Sequence, residues 1–520
     1  MPTRENGSMT DRNDLIRRGC VGVLTCLLVT LLAGANGERP AYAAPQAPPP
    51  TFTVNSTSDV VASAPLDNGI CETAPHNNTC TLRAAIMKAN HWAGGGVTII
   101  LPALTGGAEY MLTIPPVGSN DDEASGDLSI TNTMTIIGGG AANTVIDGSE
   151  LTPTRRVLFI GHGGIATISG VTVQGGNSGV GGNGGGILDS DSLTLHDSIV
   201  TRNTTSGGGF GGGIFNQSSA LTVTDSIVSH NTTPNLGAGV VGDGGVTTLR
   251  RVTVSSNTAG YGGGVYATDS LSFDIVDSTI SNNEATNNGG GIFHDGHGLA
   301  VVNSTISDNE AINNGGGIYN AGPSLAIINS TISDNFSDRN GAGIFNDHYS
   351  ACCTVSFYNA TIVGNQANQA VIGGTGGGIF NTSGSTVALQ NTLLAGNVRS
   401  TGGPDVFDDC SGTVTANSYN LFSSAAGCDG IGPLDLKNKP GLTGPLQNNG
   451  GPTFTNALLP GSPAIDAGNP NLGGCADNLG ATLHTDQRGA PRPANGAGST
   501  VCDIGAYELQ RTLSLPLVLK

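Results

Sequence analysis

One phrase returns between Gly184 and Asn397, and it limits the fold more than any other feature. It is a glycine triplet, an apolar step, then an Asp/Asn-Ser-Thr-Ile-like run closed by Asn. Clear copies are GGGIFNQSSALTVTDSIVSHN (211–231), GGGIFHDGHGLAVVNSTISDN (289–309) and GGGIYNAGPSLAIINSTISDN (315–335). The triplets, two of them Gly-Ala-Gly, begin at Gly184, Gly211, Gly237, Gly262, Gly289, Gly315, Gly341 and Gly376, and most steps are 25 to 27 residues. A fixed period of this length signals a solenoid stacked from like units.

The side chains say which kind of solenoid. Ile214, Leu221, Val223 and Val228 of one copy return as Ile318, Leu325, Ile327 and Ile332, the alternation of short strands with one buried face. No stretch of the repeat carries a 3.6-residue apolar stripe, and Ser, Thr, Gly and Asn disfavour helical units. The expected fold is therefore all-β, a right-handed single-stranded parallel β-helix of roughly ten or eleven coils at the usual strand spacing. Val200, Val228, Val254, Ile280, Ile306, Ile332, Ile362 and Leu394 should stack as one aliphatic column. Asn203, Asn231, Asn257, Asn283, Asn309, Asn335, Asn365 and Asn397 should form a polar ladder beside it, bonded along the axis and placed at a left-handed bend. Both the ladder and the glycine runs read as structural, since a bend must satisfy its backbone in every coil. No Gly-Lys-Ser/Thr follows the glycines, so phosphate binding is not indicated.

The chain divides into six stretches. Residues 1–43 read as an export signal, with Arg17 and Arg18, an apolar run over 21–33 and the small-residue site Ala41, Tyr42, Ala43. A Pro/Ala-rich linker (44–50) and an N-terminal cap (51–127) follow, with Thr81 capping a short amphipathic helix over 82–89. The repeats occupy 128–430, an irregular C-terminal region 431–510, and a tail at 511–520 is read as a sorting signal or a last strand. Removing the signal takes away five basic and four acidic residues and shifts the net charge from −19 to −20. So acidic a chain is a poor match for nucleic acid or an anionic membrane, and no membrane-spanning segment is expected after signal removal.

Export makes an oxidising compartment the setting for cysteine. Cys71 with Cys80, Cys410 with Cys428, and Cys475 with Cys502 are the disulfide candidates, while adjacent Cys352 and Cys353 are left open. No Cys-x-x-Cys pair or His cluster suggests zinc, no cofactor is expected, and no specific motif supports Ca²⁺.

Three resemblances extend this reading. Cys80, Thr81, Leu82, Arg83, Ala84, Ala85 and Ile86 resemble the CSLREA domain of secreted bacterial β-helix proteins, with Thr81 for Ser and Ala84 for Glu. The repeats resemble those of the pectin-lyase-like superfamily, and the Gly-Gly-Gly-Ile phrases are similar to polymorphic outer-membrane protein repeats. Leu459, Pro460, Gly461, Ser462, Pro463, Ala464, Ile465, Asp466, Ala467 and Gly468, with Asp486, Gln487, Arg488 and Gly489, then Arg492 and Pro493, and Asp503 to Glu508 (DIGAYE), resemble the choice-of-anchor Q domain of bacterial surface proteins. The resemblance implies a secreted or envelope-attached protein with an irregular, disulfide-bearing C-terminal cap.

Enzymes occur on this fold, and some of their phrases have counterparts here. Gly161, His162, Gly163 and Gly296, His297, Gly298 resemble the Gly-His-Gly phrase of polygalacturonase-like hydrolases, and Asp408, Asp409 resemble their paired Asp. The other phrases of those enzymes are missing, and such triplets in a Gly-rich chain read as turns. A lyase needs a positioned base, yet 161–403 contains no Lys, and its only strong cations are Arg202, Arg250, Arg251, Arg339 and Arg399. The expectation is a binding or adhesion protein with no catalytic residues assigned, its ligand an extracellular polysaccharide or another surface component. The alternative is a lyase or glycoside hydrolase acting on an acidic polysaccharide. Insertions near 347–353 and 366–375 mark the expected binding face.

Overall fold

The computed structural model describes residues 48–117, 123–217, 219–348, 353–368, 373–470, 475–477, 479–493 and 501–510. The expected export signal, most of the linker and the tail at 511–520 lie outside the described residues. Those described wind into a parallel β-solenoid of about 11 turns. One coil shows the plan. Ile318–Asn320, Ser324–Ile328, Thr331–Ser333 and Phe336–Ser337 follow one another around the axis, and each pairs in parallel with its equivalent in the next coil. We call the faces built by these four strand types the fourth, first, second and third. Among the described residues no helix is long and apolar enough to cross a membrane.

The aliphatic column runs unbroken along the second face, as Val200↔Val228↔Val254↔Ile280↔Ile306↔Ile332↔Ile362↔Leu394, and it continues to Phe422. All eight are wholly buried. Burying a side chain of this size is worth about 1.5 to 3 kcal/mol, so each coil is held mainly by contact with its two neighbours.

The asparagines and the glycines prove to be one device. Each ladder Asn donates through Nδ2 to Oδ1 of the next, from Asn203 to Asn397, at 2.9 to 3.1 Å. The same Oδ1 accepts the backbone N–H of the preceding Asn, as Asn335 does for Asn309 at 3.1 Å. The amide layer lies against the third glycine of each triplet. A Cβ on Gly291 would stand 3.0 Å from the Asn309 amide, and one on Gly317 would stand 3.1 Å from that of Asn335. The first glycine of every triplet has a positive φ, 59° to 69°. The left-handed bend of the ladder falls one residue earlier than expected, on Arg202, His230, Ser256, Asn282, Asp308 and Asp334. The reason is direction: the bend residue points outward, which turns the following Asn inward to its neighbours.

The helix Leu82–Asn90 closes the first coil, with Thr81 Oγ1 accepting the Ala84 N–H at 3.1 Å. Arg83 is fixed beneath it by Asp59 at 2.6 Å and by Gly126 O at 2.7 Å. Disulfides join Cys71 to Cys80, Cys410 to Cys428 and Cys475 to Cys502. Cys353 is buried with its Sγ on Ala321 O at 3.2 Å, and Cys352 lies outside the described residues.

The C-terminal region does more than cap the last coil. After 440 it runs back along the outside of the second face as an arm. Thr453 Oγ1 donates to Asn303 O at 3.1 Å, Asn359 Nδ2 to Ala476 O at 3.0 Å, and Ala506 N to Thr361 Oγ1 at 2.9 Å. Gln487 is its main peg, with Nε2 on Thr305 Oγ1 and Thr453 Oγ1, both at 2.9 Å, and Oε1 on the Thr331 hydroxyl at 2.6 Å. Leu458, Ala464 and Ile504 bury against Val363, Leu393 and Ala395.

Candidate functional site

The sequence-named candidates do not converge. Gly163 and Gly296 lie in turns between the fourth and first faces, and Gly163 N donates to Asp191 Oδ2 at 2.6 Å. The His162 and His297 turns are five coils apart, about 24 Å at the ordinary strand spacing. Asp408 accepts the Gly376 N–H at 2.8 Å. Asp409 is 0% exposed and ends the asparagine ladder, accepting from Asn397 Nδ2 at 2.9 Å and from Ser423 and Ser424. Burial pushes its carboxyl up to about 6. Arg251 is held by Asp225 at 2.6 Å, and Arg250 lies 3.3 Å from Asp277. None of these groups is placed to attack a substrate with another. Among the described residues no cluster of three His, Cys, Asp or Glu could hold a metal.

A few aromatics gather where composition gave no warning. Tyr266, Phe293, Tyr319, Phe345 and Phe380 occupy equivalent outward positions on the fourth face. Their rings stack nearly parallel at centroid distances of 4.8 to 5.1 Å. Tyr266 donates to Asp295 at 2.8 Å, Tyr319 donates to Asp347, and burial raises the Asp295 carboxyl above the usual range. Because ring faces are covered by neighbouring rings, this column is a packing element and offers little stacking surface to a ligand. The described part of the 347–353 insertion packs here, since Asp347 also accepts Ser385 Oγ at 2.6 Å through its carbonyl. Residues 349–352 and 369–372 of the two insertions lie outside the described residues.

The better site lies on the second face, at the edge of the arm. There the outward hydroxyls of Thr253, Thr279, Ser281 and Ser307 floor an open cleft of about 370 Å³, bounded by Thr305, whose buried hydroxyl is held by Phe454 O and Gln487. Leu446, Pro452, Thr453 and Phe454 overhang it, and Asp308 is the one charged residue of its lining. Phe454 is 51% exposed and stands at the edge of the cleft. One coil further on, burial raises the Asp334 carboxyl, and the charge of Asp308 adds to the effect. The cleft thus joins an apolar lip, a hydroxyl floor and a negative rim.

Sequence reasoning missed this site because the arm carries no period. A signal was present nevertheless. The outward left-handed residue that precedes each strand of the second face is Asp197, Asp225, Arg251 and Asp277 on uncovered coils, then Asn303, Asn329, Asn359 and Asn391. Charge gives way to neutral amide where the arm begins, and Asn329 Nδ2 and Asn391 Oδ1 bond it directly at 3.3 and 2.9 Å.

No family model matches the chain, and no curated protein does. Among solved structures, the crystal structure of pectate lyase Pel9A matches at 15% sequence identity and a TM-score of 0.40, over 88% of this chain and 97% of that one.

Proposed function

We propose that this protein is exported and acts at or near the cell surface by binding an uncharged glycan in the cleft beside Phe454. The observation that carries the reading is the composition of that cleft. A sugar presents hydroxyls at its edge and an apolar C–H face, and the hydroxyl floor and the exposed Phe454 ring answer those two surfaces. Asp308 on its rim opposes a uronate polymer through like charge. That favours a neutral chain over the acidic polysaccharide of the lyase alternative, which also wants a cationic base. Export is supported by the apolar run and small-residue site at the N-terminus and by the three disulfides.

The test is retention of the mature protein on immobilised neutral and uronate polysaccharides, with wild type and Phe454→Ala compared. Retention on a neutral glycan, lost in Phe454→Ala, is expected. Binding to uronates alone, or release of unsaturated oligosaccharides from them, rejects the proposal.

A further inference from the structure

The N-terminal cap encloses a lysine. Lys88, on the helix Leu82–Asn90, is 0% exposed. Its Nζ donates to two neutral partners, Pro65 O at 2.6 Å and Asn68 Oδ1 at 3.0 Å. Burial pushes the amine below its ordinary pKa, against the pull of Glu72 and Asp67. Asn68 Oδ1 also accepts the Ile70 N–H at 3.1 Å. Asn68 and Glu72 line one open pocket of about 490 Å³, and Glu72, 9% exposed, is oriented by the His76 N–H on its Oε2 at 2.9 Å.

We propose that Lys88 and Asn68 become joined by an intramolecular isopeptide bond that the folded cap forms by itself, with Glu72 as proton carrier. This does not rest on the glycan reading. The chemistry needs a neutral amine beside a polarised carboxamide, held together long enough to react. The Lys88 ammonium passes one proton through a water to Glu72, whose charge acts on it without a direct contact, and its nitrogen attacks Cγ of Asn68. Negative charge gathers on Oδ1, where the Ile70 N–H already donates. The Cγ–Nδ2 bond breaks as protons from the attacking nitrogen and from Glu72 reach the departing nitrogen. The net change turns an ammonium and a carboxamide into a secondary amide and an ammonium ion, which leaves through the pocket. No oxidant or cofactor enters. The new bond would close a ring around the Cys71–Cys80 loop and fasten the cap to its own helix irrespective of redox conditions.

Mature protein, reduced, alkylated and digested with trypsin, should yield one branched peptide joining the Asn68 and Lys88 segments. Its mass should be lower than their sum by one ammonia, with no cleavage after Lys88. Lys88→Arg and Asn68→Ala should yield only linear peptides. Glu72→Gln should also lack the branch while keeping the Cys71–Cys80 disulfide and the wild-type β-sheet circular dichroism, which separates lost chemistry from lost folding. Recovery of both linear peptides from wild type, with cleavage after Lys88, overturns the proposal. A branch that forms undiminished in Glu72→Gln overturns the part given to Glu72.

Discussion

The side-chain amide of Asn335 lies directly over Gly317, where a Cβ would stand 3.1 Å from its Cγ and Nδ2 and 2.6 Å from the Gly343 carbonyl oxygen. Backbone and ladder both stand in the way, so Gly317→Ala should cost roughly 1 to 3 kcal/mol. Gly298 meets nothing within 4 Å and has no positive φ. Gly298→Ala should be neutral or stabilising by up to about 1 kcal/mol. Urea midpoints for the two variants check the contrast.

Removing one rung of the ladder strands its neighbours. In Asn309→Ala the N–H of Asn283 loses its side-chain acceptor, its Nδ2 keeps only Val254 O, and Ile280 O loses the Asn309 donor. Each stranded buried group costs about 1 to 3 kcal/mol. The loss should exceed that of Asn313→Ala, whose 3.4 Å bond to Asn287 lies nearer the surface. Thermal melts of the pair are the measurement.

Outward does not mean exposed on the second face. Ile306→Asp places a charge in the core. One residue earlier Thr305 also has 0% exposure, because Phe454 O and Gln487 cover it. Thr305→Asp should therefore destabilise strongly as well, while Thr279→Asp, at the same column position on a coil the arm leaves open, should be mild. If Thr305→Asp melts like Thr279→Asp, the arm is not seated on that face.

Gln487→Ala should loosen the arm without unwinding the coils, since stacked coils depend on their immediate neighbours. Limited proteolysis should cut within 441–510 first in this variant, leaving a resistant fragment that contains the repeats. Simultaneous loss of both parts would refute local release.

Stability should respond to pH on the acid side of neutrality. Burial pushes Asp189, Asp409 and Asp503 up to about 6, and a like charge on Glu508 adds to the effect at Asp503. The folded state thus holds protons that the unfolded chain has released, so stability falls as pH rises through about 6. Burial pushes His294 down to about 4, so its contribution is complete above the ordinary histidine value and is lost as pH falls toward 4. Three carboxyls outweigh one imidazole over the same window, so the melting temperature should fall from about pH 4 to about pH 6 and level off above that. Asp189→Asn should make that fall shallower, since Asn216 and Asn320 hold the same inward column without charge.

The coil plan was legible because it repeats. Ile306 over Ile332 and Asn309 over Asn335 follow from counting alone. What counting could not supply was the direction of the bend, which falls on Asp308 and not on Asn309, because φ belongs to a backbone that the repeat does not spell out. Nor could it place Phe454 and Gln487, which meet Thr305 across 149 and 182 residues without any periodic trace. The stacked rings of Tyr266, Phe293, Tyr319, Phe345 and Phe380 sat in plain view after each glycine triplet, but a low total of aromatics conceals a dense local column.

The asparagine ladder has a sense of travel. Every Nδ2 points toward the following coil, and the last, from Asn397, meets a carboxylate on Asp409 that accepts and has nothing to pass on. A gene that gained another coil anywhere upstream would find a donor waiting on one side and an acceptor on the other. One that gained a coil beyond Asp409 would find the sequence of amides already brought to a full stop, so the extent of the ladder is written in a single terminal letter.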